Sequence, residues 1–203
     1  EQVRYYGLMA VYGTWSWLKN HSAEKARYAD RQLGWVAYLA GKRESRRLLG
    51  DYILKEDDIL KDIHHEDASF ATTWSIDLHF PDSVNHQFFP GREFKSATVH
   101  RRLKAPYNVP YRCLYSRNVD NLFMAGRNIS VTHVALGTTR VMRTISMMGE
   151  VVGMAAYLCH RHDVLPRGVY WNHLTELKSL MQKGAGHAEV SNNQKYNRQK
   201  FLK

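Results

Sequence analysis

Asp77 and His79 stand two residues apart in TWSIDLHFP, where Trp74, Ile76, Leu78 and Phe80 alternate with Ser75, Asp77 and His79. Alternation with a period of two marks a strand, so Asp77 and His79 share its polar face, about 7 Å apart along the chain. A carboxylate beside an imidazole can orient it as a general acid or base; the same spacing also suits a solvent-facing polar face. Arg112, between Tyr111 and Cys113, carries a planar fork that fits a substrate carboxylate, or a place on the surface. After Gly137 come Thr138, Thr139 and Arg140 at what reads as the start of a helix. Uncapped amides there, with about half a positive charge from the helix dipole, suit an anion; an ordinary glycine turn ahead of a packed helix is the alternative.

Other chemistries lack their residues. Adjacent histidines in HHED, His64–Asp67, point to different sides, and no HxH or HxxxH partner follows, so no metal site is expected. No serine sits in a GxSxG turn. Cys113 and Cys159 form neither a CxxC pair nor a nucleophile motif and read as buried thiols.

Residues 3–19 are near-helical in pattern and apolar on most sides, as in a helix packed on two neighbours. Ser22 reads as the N-cap of a second helix running to about Leu33. WVAYLA and RRLLGDYIL look like strands around the turn GKRES, and KEDDILKDI like a short helix with acids at its start. From Asp82 to about Ala105 the pattern is polar and aperiodic, predicting a long loop. YNVPYRCLYS, broken by Pro110, reads as an edge strand. Leu122–Arg127 reads as a strand and turn. In the following helix, Val141, Met142, Ile145, Met148, Gly149, Val152, Gly153 and Ala156 form one stripe, with small residues allowing close approach. A last helix is expected from about Trp171 to Lys183, before a polar tail.

The chain has 203 residues, 44% hydrophobic and 12% aromatic, which is a composition that buries a core. Its net charge of +10 is scattered over GKRESRR, HRRLK and the tail, with no aromatic-basic motif; this argues against nucleic acid and suits acidic small molecules or acidic sugars. No apolar window is long enough for a membrane span, and EQVRYYG lacks a signal-peptide pattern.

RESRRLLGDYILKEDDI, TWSIDLHFP, YNVPYRCLY and DNLFMAGRNISVTHVALGTTRVMRTISMMGEVVGMAA, taken in this order, resemble the C-terminal portion of a family of bacterial FAD-dependent oxidoreductases with a glutathione-reductase-type flavin fold. The resemblance covers roughly residues 40 to 185. It implies an α/β class, here an α+β fragment: the C-terminal part of a two-domain FAD-binding oxidoreductase. It further implies that Gly126, Arg127 and Asn128 lie beside the FAD pyrophosphate and ribityl chain. The helix with Gly137, Thr138, Thr139 and Arg140 would face the flavin pyrimidine, where a dipole stabilises negative charge on the reduced ring. Asp77, His79, Arg112 and His133 become the candidates for proton transfer and substrate contact during hydride transfer to flavin N5. No GxGxxG follows any strand, so the Rossmann βαβ unit for the ADP half of FAD is missing and is expected from an N-terminal part of the same protein. The implied organisation is a substrate-side segment 1–118, a C-terminal part of the FAD-binding domain 119–184 and a tail or linker 185–203. Two alternatives remain at this point: a lyase on acidic polysaccharide, in which arginines neutralise a uronate, and a non-catalytic basic binding module.

Overall fold

A computed structural model describes residues 2–39, 41, 43–88, 90, 91 and 96–184. The expected tail, 185–203, lies outside the described residues. In chain order the elements are α1 (Gln2–Asn20), α2 (Lys25–Tyr28), α3 (Glu56–Leu60), β1 (Ala68–Thr72), β2 (Ile76–Pro81), α4 (Ser83–His86), β3 (Ser96–Arg101), β4 (Tyr107–Pro110), a 3-10 turn (Tyr111–Cys113), α5 (His133–Thr139), α6 (Met142–His162), α7 (Pro166–Asn172) and α8 (Leu174–Lys183). The mixed α+β character expected from the sequence is the one observed. The chain forms two compact units, Glu1–Ser45 with Ile76–Arg101, and Arg46–Ser75 with Arg102–Lys203. The boundaries between the units therefore fall at three places.

The first unit holds α1, α2, α4 and an antiparallel hairpin of β2 and β3. α1 forms as expected, and Lys19 near its end donates to the Ala29 and Arg31 carbonyls at 3.0 and 2.8 Å. Tyr5, Met9, Tyr12 and Trp17 are exposed on it, so its apolar sides are not all covered. The second helix is one turn long. Ser22 accepts from the Glu24 amide instead of capping a long helix, and the chain beyond Arg31 is irregular.

The loop expected over 82–105 contains α4 and β3. β3 is SATVHR, whose polar residues hide a strand that only its partner reveals: Asp77 lies opposite His100, Leu78 opposite Val99 and Phe80 opposite Ala97. Opposite residues of an antiparallel pair share a face, so Ile76, Leu78, Phe80, Ala97 and Val99 form an apolar side, buried at Ile76 and open at Phe80 and Val99. Asp77, His79 and His100 form the polar side.

The second unit carries most of the buried core. β1 pairs antiparallel with β4, register Phe70 to Val109 and Thr72 to Tyr107. Pro110 is tolerated because a two-stranded sheet is all edge. α6 packs on β1 and on α7 and α8. It buries Thr144, Met148, Val151, Ala155 and Leu158, a stripe spaced by three and four residues. Each large apolar side chain buried there stabilises by about 1.5–3 kcal/mol. Of the expected stripe Met148 is in this core, but Met142 is 86% exposed, and side chains added at Gly149 or Gly153 would meet nothing within 4 Å.

WVAYLA and RRLLGDYIL are not strands. Residues 48–54 instead run as an irregular ribbon held by tertiary hydrogen bonds: Leu48 N to Asn128 O, Leu54 N to Ser130 O and Thr132 N back to Leu54 O. α3 forms as expected, with Asp58 accepting from the Lys55 amide at 2.8 Å and from the Tyr52 hydroxyl at 2.8 Å. The last helix is two, broken at His173, with Pro166 at the N-terminus of the first.

Asp51 fastens the ribbon to α7. Arg167 grips both carboxylate oxygens at 2.7 and 2.8 Å, and Tyr115 donates a third bond at 2.9 Å. The Arg167 guanidinium holds the Asp51 carboxyl below its ordinary 3.8. A depressed carboxylate stabilises the fold above its unfolded pKa, and that stabilisation is lost as pH falls through the lower folded value. Acid unfolding of the wild type is expected to draw on this pair below about pH 4. Asp51→Asn should be less stable at pH 7 and converge on the wild type in acid; parallel pH–stability curves from urea unfolding would refute it.

Candidate functional site

The segment Asn121–Thr144 is built around a pinned turn. Met124 donates its amide to Leu114 O at 2.7 Å and Ser116 to Leu122 O at 2.9 Å, so the expected strand is a short ladder beside 114–116. Gly126 is buried with φ +119°, a conformation that disfavours any side chain, and its amide donates to the Met148 sulfur of α6 at 3.3 Å. Arg127 and Asn128, next in line, are exposed. From Asn128 to Thr132 the backbone is held by the 48–54 ribbon on one side and by Cys113 O on the other. A rigid backbone thus presents a glycine, an arginine and an asparagine to the surface.

The helix after the turn begins earlier than the sequence suggests. Thr132 is the N-cap of α5, its hydroxyl accepting from the Ala135 amide, and His133 is the first helical residue and exposed. Gly137, Thr138 and Thr139 are buried in the last turn of α5, not at a helix start, and Arg140 follows as its C-cap. Thr138 serves the fold: its hydroxyl donates to the Trp74 carbonyl and meets the Thr72 hydroxyl at 2.8 Å, while Thr72 donates to Thr138 O at 2.9 Å. These bonds, with β-branched Thr138, Thr139 and Val141 in sequence, end α5 where the sequence reads as the start of a helix. Thr138→Val is expected to cost about 1–3 kcal/mol of stability by orphaning buried partners, read as a lowered urea midpoint at unchanged slope. An unchanged midpoint would sink that assignment.

The long helix after this segment, α6, has an open positive end. It is 21 residues long, Val141 gives it no side-chain cap, and no acid lies in its first turn. Arg143 and Met142 there are exposed. The anion-attracting terminus read at Thr138–Thr139 therefore lies at Met142–Thr144, displaced by about one turn.

The hairpin does bring Asp77 and His79 together. His79 Nε2 lies 3.3 Å from Asp77 Oδ1, and His100 Nε2 approaches the same oxygen at 3.7 Å. Asp77 is mostly shielded and the two imidazoles partly exposed, so a carboxylate stands between two rings facing water. Sequence reasoning missed His100 because the alternation of its strand is short and its apolar positions, Ala97 and Val99, are small.

Arg112 is not available for a substrate. Its Nε and terminal nitrogen each lie 2.9 Å from the two oxygens of fully buried Asp67, and its own amide donates to the same carboxylate at 2.9 Å. The guanidinium also lies near the rings of Tyr52 and Tyr170, 5.3 and 5.1 Å from their centroids. The Asp67 carboxylate raises the Arg112 pKa, so it stays a cation throughout. Asp67 itself was read as part of HHED; the signal that it pairs with Arg112 is tertiary. Cys113 is buried, and desolvation pushes its thiol up, which makes it a poor nucleophile; Cys159 is half-buried.

A pinned glycine turn beside a long helix with an uncapped N-terminus thus sits on an α+β frame. The chain belongs to the FAD dependent oxidoreductase family, whose model matches residues 1–180. FAD is the cofactor that membership carries. No curated protein and no solved structure matches the chain. Among the described residues, no helix is long and apolar enough to cross a membrane.

Proposed function

We propose that this chain supplies the flavin-facing turn and helix of an oxidoreductase that removes hydride from an organic substrate. The observation that carries the reading is the family match, which spans nearly all of the described chain. The residues fit FAD in part. Gly126, Arg127 and Asn128 offer a fixed, side-chain-free approach and a surface cation for a pyrophosphate or ribityl chain. The bare terminus of α6 at Met142–Thr144, flanked by Arg140 and Arg143, offers its dipole to negative charge on the reduced ring. Thr138 and Thr139 do not fit, being fully buried, and Gly137 is buried with them.

When bound, FAD supplies the hydride acceptor, flavin N5. The protein's own part is to orient the substrate and to take the proton that leaves with the hydride. Asp77 with His79 is the pair we assign to that proton, the carboxylate holding the ring at 3.3 Å. His133, exposed at the start of α5, is assigned to substrate or ring contact. The substrate-side role falls to part of 1–118 and the flavin role to 119–184. The ADP half of FAD needs a glycine-rich loop from an N-terminal part of the same protein, since residues 1–203 contain none. A small organic or sugar-derived substrate suits the scattered basic charge. No observation favours polysaccharide lysis.

The test is the visible absorption spectrum of the chain joined to its N-terminal part, beside the chain alone. A flavin spectrum in the joined protein, weakened by Arg127→Ala, is expected. A colourless joined protein after incubation with FAD would overturn the reading.

A further inference from the structure

His162 at the end of α6, His173 between α7 and α8, and Glu176 on α8 meet at one point of the second unit. His162 is the last residue of α6, placed there because Asp163 turns the chain with φ 51° and ends the helix. His173 is the hinge between α7 and α8, and Glu176 lies three residues on, in the first turn of α8. Glu176 Oε2 lies 2.8 Å from His162 Nε2 and 3.9 Å from His173 Nδ1. The two imidazoles stack, centroids 3.9 Å apart and planes 11° from parallel. One nitrogen from each ring and one carboxylate oxygen all fall within 4.8 Å of one another.

We propose that this triad is a binding site for a divalent cation of the zinc class, held by two imidazole nitrogens and one carboxylate oxygen with water completing the shell. The donor set is the one such borderline ions take, and a tetrahedral ion with bonds near 2.0–2.2 Å requires its ligand atoms about 3.3–3.5 Å apart. The present carboxylate–ring spacings of 2.8 and 3.9 Å bracket that value, so Glu176 needs little movement while the imidazoles must rotate out of their stack. An ion lies in the plane of each imidazole it binds, so the stacked rings splay apart on loading. Glu176 is preset for one bond. Arg161 takes its other oxygen, Oε1, at 3.0 Å, which leaves Oε2 facing the two rings.

The surroundings suit an exchangeable ion. The side chains keep 27%, 22% and 33% of their surface, enough for entry from solvent yet partly shielded from it. The negative end of the 21-residue α6 falls at His162 and favours a cation there. Helices and the bend between two of them supply the three ligands, and α6 packs against α7 and α8. The ion would cross-link the C-terminal helices, far along the chain from the flavin-facing turn, and the inference does not depend on the flavin reading.

The experiment is a titration of the full chain, first stripped with EDTA, using Co²⁺ alone and then Zn²⁺ in competition with a chromophoric chelator. Expected are one ion per chain, visible ligand-field bands with Co²⁺, and a higher unfolding temperature with Zn²⁺. His162→Ala, His173→Ala and Glu176→Gln should each weaken binding by more than the about 10–100-fold lost with an outer-shell partner, while their metal-free unfolding temperatures stay near the wild type. His160→Ala, one turn-neighbour outside the triad and exposed, should bind like the wild type. Binding that survives His173→Ala or Glu176→Gln, or that falls with His160→Ala instead, overturns the site. So does the absence of stoichiometric binding in the wild type.

Discussion

Gly50→Ala is expected to destabilise the chain by about 3 kcal/mol or more, the upper part of the range for overpacking. Gly50 is buried in the ribbon that the sequence presents as a strand, and a Cβ there would lie under 3.0 Å from the Arg112 carbonyl oxygen. It would also meet Tyr115 O and Ser130 Cβ at 3.0 Å. These are backbone and short side-chain atoms with no freedom to retreat, and they belong to the segments that hold the Gly126–Asn128 turn. For a chain of this size, 3 kcal/mol corresponds to about 6–12 °C in Tm. Thermal and urea unfolding of Gly50→Ala measure it, and a Tm within 2 °C of wild type, roughly the effect of a neutral surface change, would refute the close approach. Because the turn at Gly126–Asn128 hangs on this ribbon through Leu48 and Asn128, flavin retention in the joined protein should fall with stability.

Arg112→Ala is expected to be at least as severe, about 3–5 kcal/mol, because it leaves the fully buried Asp67 carboxylate without its cation. The Arg112 amide still donates to Asp67, so the loss is of the guanidinium fork and its place between Tyr52 and Tyr170. The double variant Asp67→Asn with Arg112→Met removes both charges and should recover much of the stability, since the cost lies in the unpaired charge more than in the missing pair. A substrate-binding arginine behaves otherwise: its loss raises KM and leaves unfolding untouched. If Arg112→Ala unfolds like the wild type, the structural assignment fails and the carboxylate-holding role returns.

The two substitutions share a lesson about legibility. Gly50 and Arg112 are ordinary residues in sequence, one in an apolar run and one between a tyrosine and a cysteine. What makes them costly is which distant backbone or carboxylate the fold brings to them. Asp67 and Arg112 are 45 positions apart. Asp51 and Arg167 are 116 apart, and no local pattern encodes either pair.

Local pattern was enough wherever the deciding forces are local. α1 and α3 form because helical spacing and a first turn of acids act within a few residues, and β2 because alternation sets one face against the other. The order of blocks sufficed to identify an FAD-dependent oxidoreductase, since family membership rests on residue identity along the chain. The pairing of Asp77 with His79 also follows from strand geometry alone. Tertiary structure decided the rest. β3 exists because β2 offers a hydrogen-bonding edge, and with it His100 joins Asp77. The break between α5 and α6 exists because Thr138 bonds to Thr72 and Trp74, which moves the open helix terminus from Thr138 to Met142. The ribbon at 48–54 is irregular because its amides and carbonyls are satisfied by Asn128, Ser130, Thr132 and Arg112 rather than by one continuous ladder, with a single parallel bridge at Leu54 and Val131. His162, His173 and Glu176 meet because helix ends converge. Local periodicity determines what a segment prefers; partners distant in sequence determine which preference survives, because only they can satisfy its buried polar groups.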